Sequence, residues 1–170
     1  MQIAQSNWGE VEAYLKTDDR CILPLGSTEQ HGPHLPISTD VSIARGMLEE
    51  TRRQLPDELD VLVLPMQEIG KANEHKYGPG TLSFGADLLI PAWTAIGEKV
   101  CEAGVRKMVI VNSHGGNTDI ISIVSRELRV RFDMAVLVTH WSRFGHPEGM
   151  ISEHEARFGI HGGDVETSLM

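Results

Sequence analysis

Apolar and polar positions along the chain fall into two alternating rhythms. Trp8, Val11, Tyr14 and Leu15 recur at helical spacing behind Ser6 or Asn7, which predicts a short first helix over 7–16. The apolar run 21–25 (CILPL) predicts a first strand. Val41, Ile43, Ala44, Met47, Leu48 and Leu55 then line one face opposite Arg45, Glu49, Glu50, Arg52 and Arg53, so a helix starts with Thr39 or Asp40 as its cap and stops at Pro56. A second strand is predicted over 61–64 (VLVL), continuously apolar as strands buried on both faces are. Next comes a helix from an Asp87 cap through Ala103, with Pro91 in its first turn and Gly104 closing it. A strand over 107–111, a helix from Asn117 to about Phe132, a strand over 134–140 and a short helix over 153–158 complete the pattern.

Strands alternating with helices of this length imply right-handed crossovers, hence an α/β fold whose parallel sheet is covered on both faces. In open sheets of this kind ligands gather beyond the carboxyl ends of the strands, and Glu29, His31, His114 and His140 all follow predicted strand ends. Two connections are unusual. Residues 25–40 (LGSTEQHGPHLPISTD) hold Glu29, His31, His34 and Asp40 with the hydroxyls of Ser27 and Thr39, while Gly26, Gly32, Pro33 and Pro36 exclude a long helix or a central strand. Residues 65–86, rich in Gly and Pro, carry Glu68, Asn73, Glu74, His75 and Tyr77, and loops of that length inside a domain are usually functional.

Glu29, His31 and Asp40 supply one imidazole and two carboxylates, the mixed nitrogen and oxygen set that suits Zn, Mn or Fe. Taken singly, Glu29 reads as a loop acceptor and Asp40 as a helix cap; their crowding with His31 and His34 in one loop favours the metal reading. His114-Gly115-Gly116-Asn117 sits at a strand-to-helix turn where the glycines let backbone approach a ligand, although Asn117 also reads as an ordinary cap. The chain lacks G-x-x-x-x-G-K-[ST] and G-x-S-x-G patterns, and both cysteines, Cys21 and Cys101, lie in apolar segments outside any C-x-x-C. Metal-activated water is the chemistry that remains. With 170 residues, 41% hydrophobic and 23% charged, one soluble domain is expected. The net charge of −9 and fifteen scattered Lys and Arg argue against a nucleic-acid surface. No apolar run suits a membrane span and no leader-like start is present, so a cytoplasmic protein with reduced thiols is expected.

Four motifs in order, GSTEQHGPHLPISTD, EHKYGPGT, NSHGGN and HGGDVETS, resemble the creatininase family of amidohydrolases, which includes creatinine amidohydrolase, formamidopyrimidine deformylases and the mycofactocin-maturing peptidase. The resemblance implies a three-layer α/β/α fold and a site with two divalent metal ions, Zn, Mn or Fe. It places Glu29 and His114 on one ion, His31 on the other and Asp40 between them, with His161 and Glu166 as a late catalytic pair whose histidine is the acid/base. There are two departures. Creatininase proper has a glutamate where this chain has Gly116, so Glu166 is assigned to the second ion as well; and it has a tryptophan where this chain has Arg157. Arg157 would suit an anionic amide unless it merely pairs with Glu153. The implied activity is hydrolysis of a C–N bond in a small or cyclic amide. The alternatives are a formamide deformylase, a peptidase, or a metal-containing module that binds a small ligand without turnover. A homo-oligomer, commonly a hexamer, is implied, with Trp8, Trp93 and Trp141 as candidate contacts, Trp141 also being placed to stack a flat ring. Because family members continue past the ETS motif, residues 1–170 are expected to be a single domain lacking its C-terminal part.

Overall fold

A computed structural model describes residues 1–16 and 19–170. Its elements are α1 (Trp8–Leu15), β1 (Arg20–Leu25), α2 (Thr39–Gln54), β2 (Leu62–Val63), α3 (Ala86–Glu102), β3 (Lys107–Asn112), α4 (Thr118–Phe132), β4 (Ala135–His140), α5 (Glu153–Phe158) and α6 (Asp164–Leu169). The strands form one sheet in the order β2-β1-β3-β4, all neighbours parallel. Leu25 lies opposite Asn112, and Asn112 opposite His140, so three strands end in one row. From β1 the chain crosses to β2 on one side, whereas from β3 it crosses to β4 on the other. The loops that follow β1 and β3 therefore part, and the crevice between them is where ligands of open α/β sheets bind.

The apolar strand positions meet helices on both faces of the sheet. α3 and α4 pack on each other and α4 contacts β3 and β4, while α2 lies against β1. Leu23, Leu25, Met108 and Ile110 of the strands and Trp93, Ile121, Val124 and Leu128 of α3 and α4 share one buried core. The helices approach closely because Gly97 has no side chain: a Cβ there would stand 2.4 Å from Leu128 Cδ2. α1 opens with a capping box, Asn7 accepting from the Glu10 N–H and Glu10 from the Asn7 N–H. Its Tyr14 hydroxyl donates to the Arg20 carbonyl and accepts from the Leu62 N–H, docking the helix beside β1 and β2.

Several local expectations are corrected. The second strand is two residues long instead of four. Pro24 in β1 has no N–H to offer β2, so the β1–β2 ladder breaks after the Leu64 N–H to Ile22 carbonyl bond and resumes one residue late, at Gln67. α2 is preceded by Ser38, and neither Thr39 nor Asp40 caps it: Thr39 bonds the Pro36 carbonyl, and Asp40, inside the first turn, turns toward the site. α3 starts at Ala86, which puts Pro91 beyond the first turn; the bond its N–H would have made to Asp87 is forgone where Leu89 and Trp93 bury the helix. Arg157 pairs with no carboxylate among the described residues; its guanidinium lies 5.2 Å over the Phe158 ring. Of the three tryptophans, Trp93 is buried in its own core and Trp8 is 79% exposed. Cys21 and Cys101 are free thiols, Cys101 only half-buried, and burial pushes the Cys21 thiol up to about 12. Among the described residues no helix is long and apolar enough to cross a membrane.

Candidate metal centre

The loop after β1 is held open rather than coiled. Its Gly26 N–H bonds the Gln67 carbonyl, and its Glu29 N–H bonds the Ile37 carbonyl across a hairpin-like return. The 65–86 connection is zipped alongside: Leu82 N–H donates to the Thr28 carbonyl and Gln30 N–H to Thr81 Oγ1. Asn117 ties in the third loop. Fully buried, it makes no cap bond but donates to the Gly26 carbonyl and Asn112 Oδ1, and accepts from the Lys71 N–H.

These constraints bring sequence-distant groups together at the row of strand ends. Glu29 and His31 are fully buried, Asp40 is 2% and His114 4% exposed. His114 Nδ1 lies 3.1 Å from Glu29 Oε1 and 3.2 Å from Asp40 Oδ2. His31 Nε2 lies 3.3 Å from Asp40 Oδ1 and 3.7 Å from Glu166 Oε1. Asp40 thus faces His114 with one oxygen and His31 with the other. Ser27 Oγ donates to Glu29 Oε2 at 3.2 Å, which leaves Oε1 directed inward. His161 Nδ1 stands 3.6 Å from that same oxygen, and His75 Nε2 4.0 Å.

The histidine tautomers follow from their outer partners. Carbonyl oxygens only accept, so the His31 Nδ1 contact with the Glu29 carbonyl (3.1 Å) and the His114 Nε2 contact with the Lys71 carbonyl (2.8 Å) place a proton on each of those nitrogens. The other nitrogen of each ring faces the carboxylates, and on losing its proton would offer a lone pair to a cation held among them. A ring oriented in this way by a carbonyl is the usual support of a metal-ligating histidine.

Glu29 Oε1, Asp40 Oδ2 and His31 Nε2 are buried without a hydrogen-bond partner among the described residues; the only other such atom is Thr94 Oγ1. Each orphaned buried polar atom costs about 1–3 kcal/mol, and three of them aimed at one space are accounted for by a cation in that space. Two donor groups, each within 4.8 Å internally, share Asp40: Glu29, Asp40 and His114, and His31, Asp40 and Glu166. A third, Glu29, His31 and His161, overlaps both. All are nitrogen and carboxylate donors, which fit a divalent transition metal.

The electrostatics agree. Burial resists charge on His31 and His114, yet the carboxylates that face them, Asp40 with Glu166 and Asp40 with Glu29, override it and push both rings up to about 10. Burial would raise Asp40 and Glu166, but the imidazoles hold both below the ordinary carboxylate range. The cage calls for positive charge.

Not every expected residue is in it. His34 is exposed and meets Thr167 Oγ1. His140 lies beside Asn112, its pKa lowered by burial and by Arg143. Gly116 cannot be exchanged for a larger residue in place: a Cβ would stand 2.2 Å from both Glu74 Oε1 and the Lys71 carbonyl. In return, His75 and Gln30, one weak by itself in the sequence and the other passed over, both reach the centre. A cavity of about 360 Å³ opens beside it, lined by His161, Glu166, Ser113, His140, Trp141 and Ile160. Trp141 Nε1 donates to Ser113 Oγ at 2.8 Å, which fixes the indole in the cavity wall.

Comparison with known proteins bears on this centre. The sequence model for "Creatininase: Creatinine amidohydrolase" matches residues 4–170. A mycofactocin precursor peptide peptidase of Mycobacterium ulcerans is 34% identical over 155 residues, 88% of this chain and 56% of that protein. Creatinine amidohydrolase of Pseudomonas putida is 28% identical over 99% of this chain and 70% of that protein. The chain thus spans about half the length of the peptidases it matches. Among solved structures, a tryptophan-to-alanine variant of creatininase superposes with a TM-score of 0.83 at 26% identity, over 99% of this chain and 71% of that one. A form described as creatininase Mn gives 0.77 at 26% identity, with 99% and 71% coverage. From the match over nearly its whole length, the chain belongs to the creatininase family of hydrolases.

Proposed function

We propose that this chain carries the metal centre of a hydrolase that cleaves a C–N bond of a small or cyclic amide, using two divalent ions, Zn, Mn or Fe. The observation that supports this most is the shared carboxylate: Asp40 Oδ2 has no hydrogen-bond partner, and its two oxygens face histidines of two different donor sets. Glu29, Asp40 and His114 would hold one ion, and His31, Asp40 and Glu166 the other. Such ions supply Lewis acidity toward a carbonyl and a water that ionises near pH 7. The protein does the rest. Ser27 orients Glu29, and the Glu29 and Lys71 carbonyls keep the proton on His31 Nδ1 and His114 Nε2, so that the opposite nitrogens would serve as neutral donors once their own protons are displaced. His161, with Nε2 donating to the Gln30 carbonyl at 2.6 Å, keeps Nδ1 free to carry a proton to the departing nitrogen. The cavity beside His161 seats the amide against Trp141. No Lys or Arg lines that cavity, so the anionic substrate suggested by Arg157 finds no support in it.

A second reading is peptide hydrolysis, favoured by the 34% identity to a mycofactocin precursor peptide peptidase against 28% to creatinine amidohydrolase. The test is to load the protein with Zn or Mn and assay creatinine, formanilide and a tripeptide in parallel, with an EDTA-treated control and Asp40→Ala. Metal-dependent ring opening of creatinine, or release of aniline from formanilide, lost in Asp40→Ala, is expected. Turnover of the tripeptide alone would select the second reading, and turnover that persists after chelation would sink both.

A further inference from the structure

We propose that Gln30 and His75 are positioning residues for His161: together they set the plane and the tautomer with which its imidazole meets the metal cage. This rests on the role given to His161 above, but its evidence is separate. His161 comes from the loop between α5 and α6, where Gly162 takes a positive φ of 63° and packs under the His31 carbonyl. A short loop does not hold an imidazole in one plane by itself. The ring is clamped instead between His31, with centroids 4.2 Å apart, and His75, 4.0 Å apart and within 16° of parallel.

Gln30 fixes the polarity of this stack. Its position between Glu29 and His31 puts its backbone carbonyl 2.6 Å from His161 Nε2, which must therefore carry the proton. Its side chain is oriented by a backbone group: the Gly32 N–H can only donate, and it reaches Gln30 Oε1 at 2.9 Å. The amide nitrogen consequently faces the other way, 3.0 Å from His75 Nδ1 and 3.2 Å from Tyr77 Oη. An amide N–H₂ only donates, so His75 Nδ1 accepts and its ring proton lies on Nε2. With both amide hydrogens engaged, the 3.2 Å approach of the amide to His161 Nε2 is packing and not a hydrogen bond. Gly78 leaves room for this side chain, since a Cβ there would lie 2.4 Å from Gln30 Cγ. One residue thus dictates the protonated nitrogen of two stacked rings, and leaves His161 Nδ1 as the nitrogen turned toward Glu29 Oε1.

Gln30→Glu tests this, because it keeps the shape of the side chain and reverses the polarity offered to His75. With ¹⁵N-histidine labelling and long-range ¹⁵N–¹H correlation spectra, the wild type should have His75 protonated on Nε2 and His161 on Nε2. Gln30→Glu should move the His75 proton to Nδ1, and His75→Ala should broaden or split the His161 signals. On whichever of creatinine, formanilide and the tripeptide is hydrolysed, both variants should lose about tenfold or more in kcat with KM within about threefold, since a misplaced acid/base forfeits part of a 10²–10⁴-fold effect. His75→Phe, which keeps the stacked face but lacks the nitrogen that Gln30 engages, should restore a single sharp set of His161 signals, with kcat between those of His75→Ala and the wild type. A wild-type His75 protonated on Nδ1, or variants whose kcat matches the wild type, would overturn the proposal. Metal content measured on each variant separates these effects from loss of the cage. The spectra are decisive even if none of the three amides is a substrate, so this inference and the proposed hydrolysis fail independently.

Discussion

At the scale of single residues, the centre is a charge-balancing problem solved by side chains that have nowhere else to turn. Two buried carboxylates, Glu29 and Asp40, sit against two buried imidazoles, and without a cation those rings retain protons up to about pH 10. A divalent ion needs the same nitrogens as lone pairs, so binding must expel the protons. Titrating metal-free protein with Zn at pH 7.5 in buffers of different ionisation enthalpy should therefore give close to two protons released per subunit, and affinity that rises with pH. A release near zero would contradict the protonation described here. Ser27→Ala probes the support of the cage: it removes the hydroxyl that engages Glu29 Oε2, leaving a second buried oxygen without a partner. The expected cost is about 1–3 kcal/mol in metal-free stability, together with weaker metal retention in competition with a chelator.

Among the elements, what matters is how closely they can approach. α3 meets α4 at Gly97, where even a methyl group would collide with Leu128. Gly97→Ala should lower stability by about 1–3 kcal/mol through overpacking, although its helix propensity alone favours alanine. Chemical denaturation would read this directly, and an unchanged or raised midpoint would mean that α4 can shift freely. The loops are joined by a different device, the buried amide of Asn117, which bonds the loop after β1, the end of β3 and the 65–86 connection at once. Asn117→Ala should loosen all three and reduce metal occupancy although the Asn117 side chain bonds none of the donor atoms of the cage. Elemental analysis after gel filtration is the measurement, and full occupancy would show that the other zippers suffice.

For the whole molecule, protons and metal compete to stabilise the same folded state. His31 and His114 ordinarily titrate at 6.5 and are raised to about 10 in the fold, so their contribution is fully present below pH 6.5 and is lost as pH rises toward 10. Asp40 and Glu166 are lowered from 3.8 and 4.5, so theirs is present above those values and is lost in acid. The melting temperature of metal-free protein should hold a plateau near pH 5–6.5 and decline from there to pH 10. In metal-loaded protein the alkaline decline should vanish, because the ion has replaced the protons. Calorimetry across that range tests both limbs, and a flat metal-free profile between pH 6.5 and 10 would show that the imidazoles are not charged in the empty cage.

The alternation of apolar runs, together with the position of the ligand-type residues after strand ends, determined the α/β class, the four strands, the principal helices and the loops that hold Glu29, His31, Asp40 and His114. Those features are local: periodicity, turn residues and strand boundaries are written in neighbouring positions. Four motif blocks likewise pointed to the family before any contact was known. Only the tertiary structure decided how the site closes. Asp40 has the sequence signature of a helix cap and Asn117 that of another, yet each side chain turns away from its helix, because burial beside histidines in one case and beside three loops in the other offers better partners than a helix N–H. The length of β2 was hidden as well, since the proline that interrupts its ladder, Pro24, lies on the neighbouring strand. Gln30 and His75 are 45 residues apart, and nothing in either stretch announces that an amide of one will set the tautomer of the other. Arg157, by contrast, drew notice by its place in a motif and ends over Phe158, outside the cavity. Local pattern specifies which groups are available; long-range packing specifies which atoms face each other, and the chemistry of this centre depends on the second.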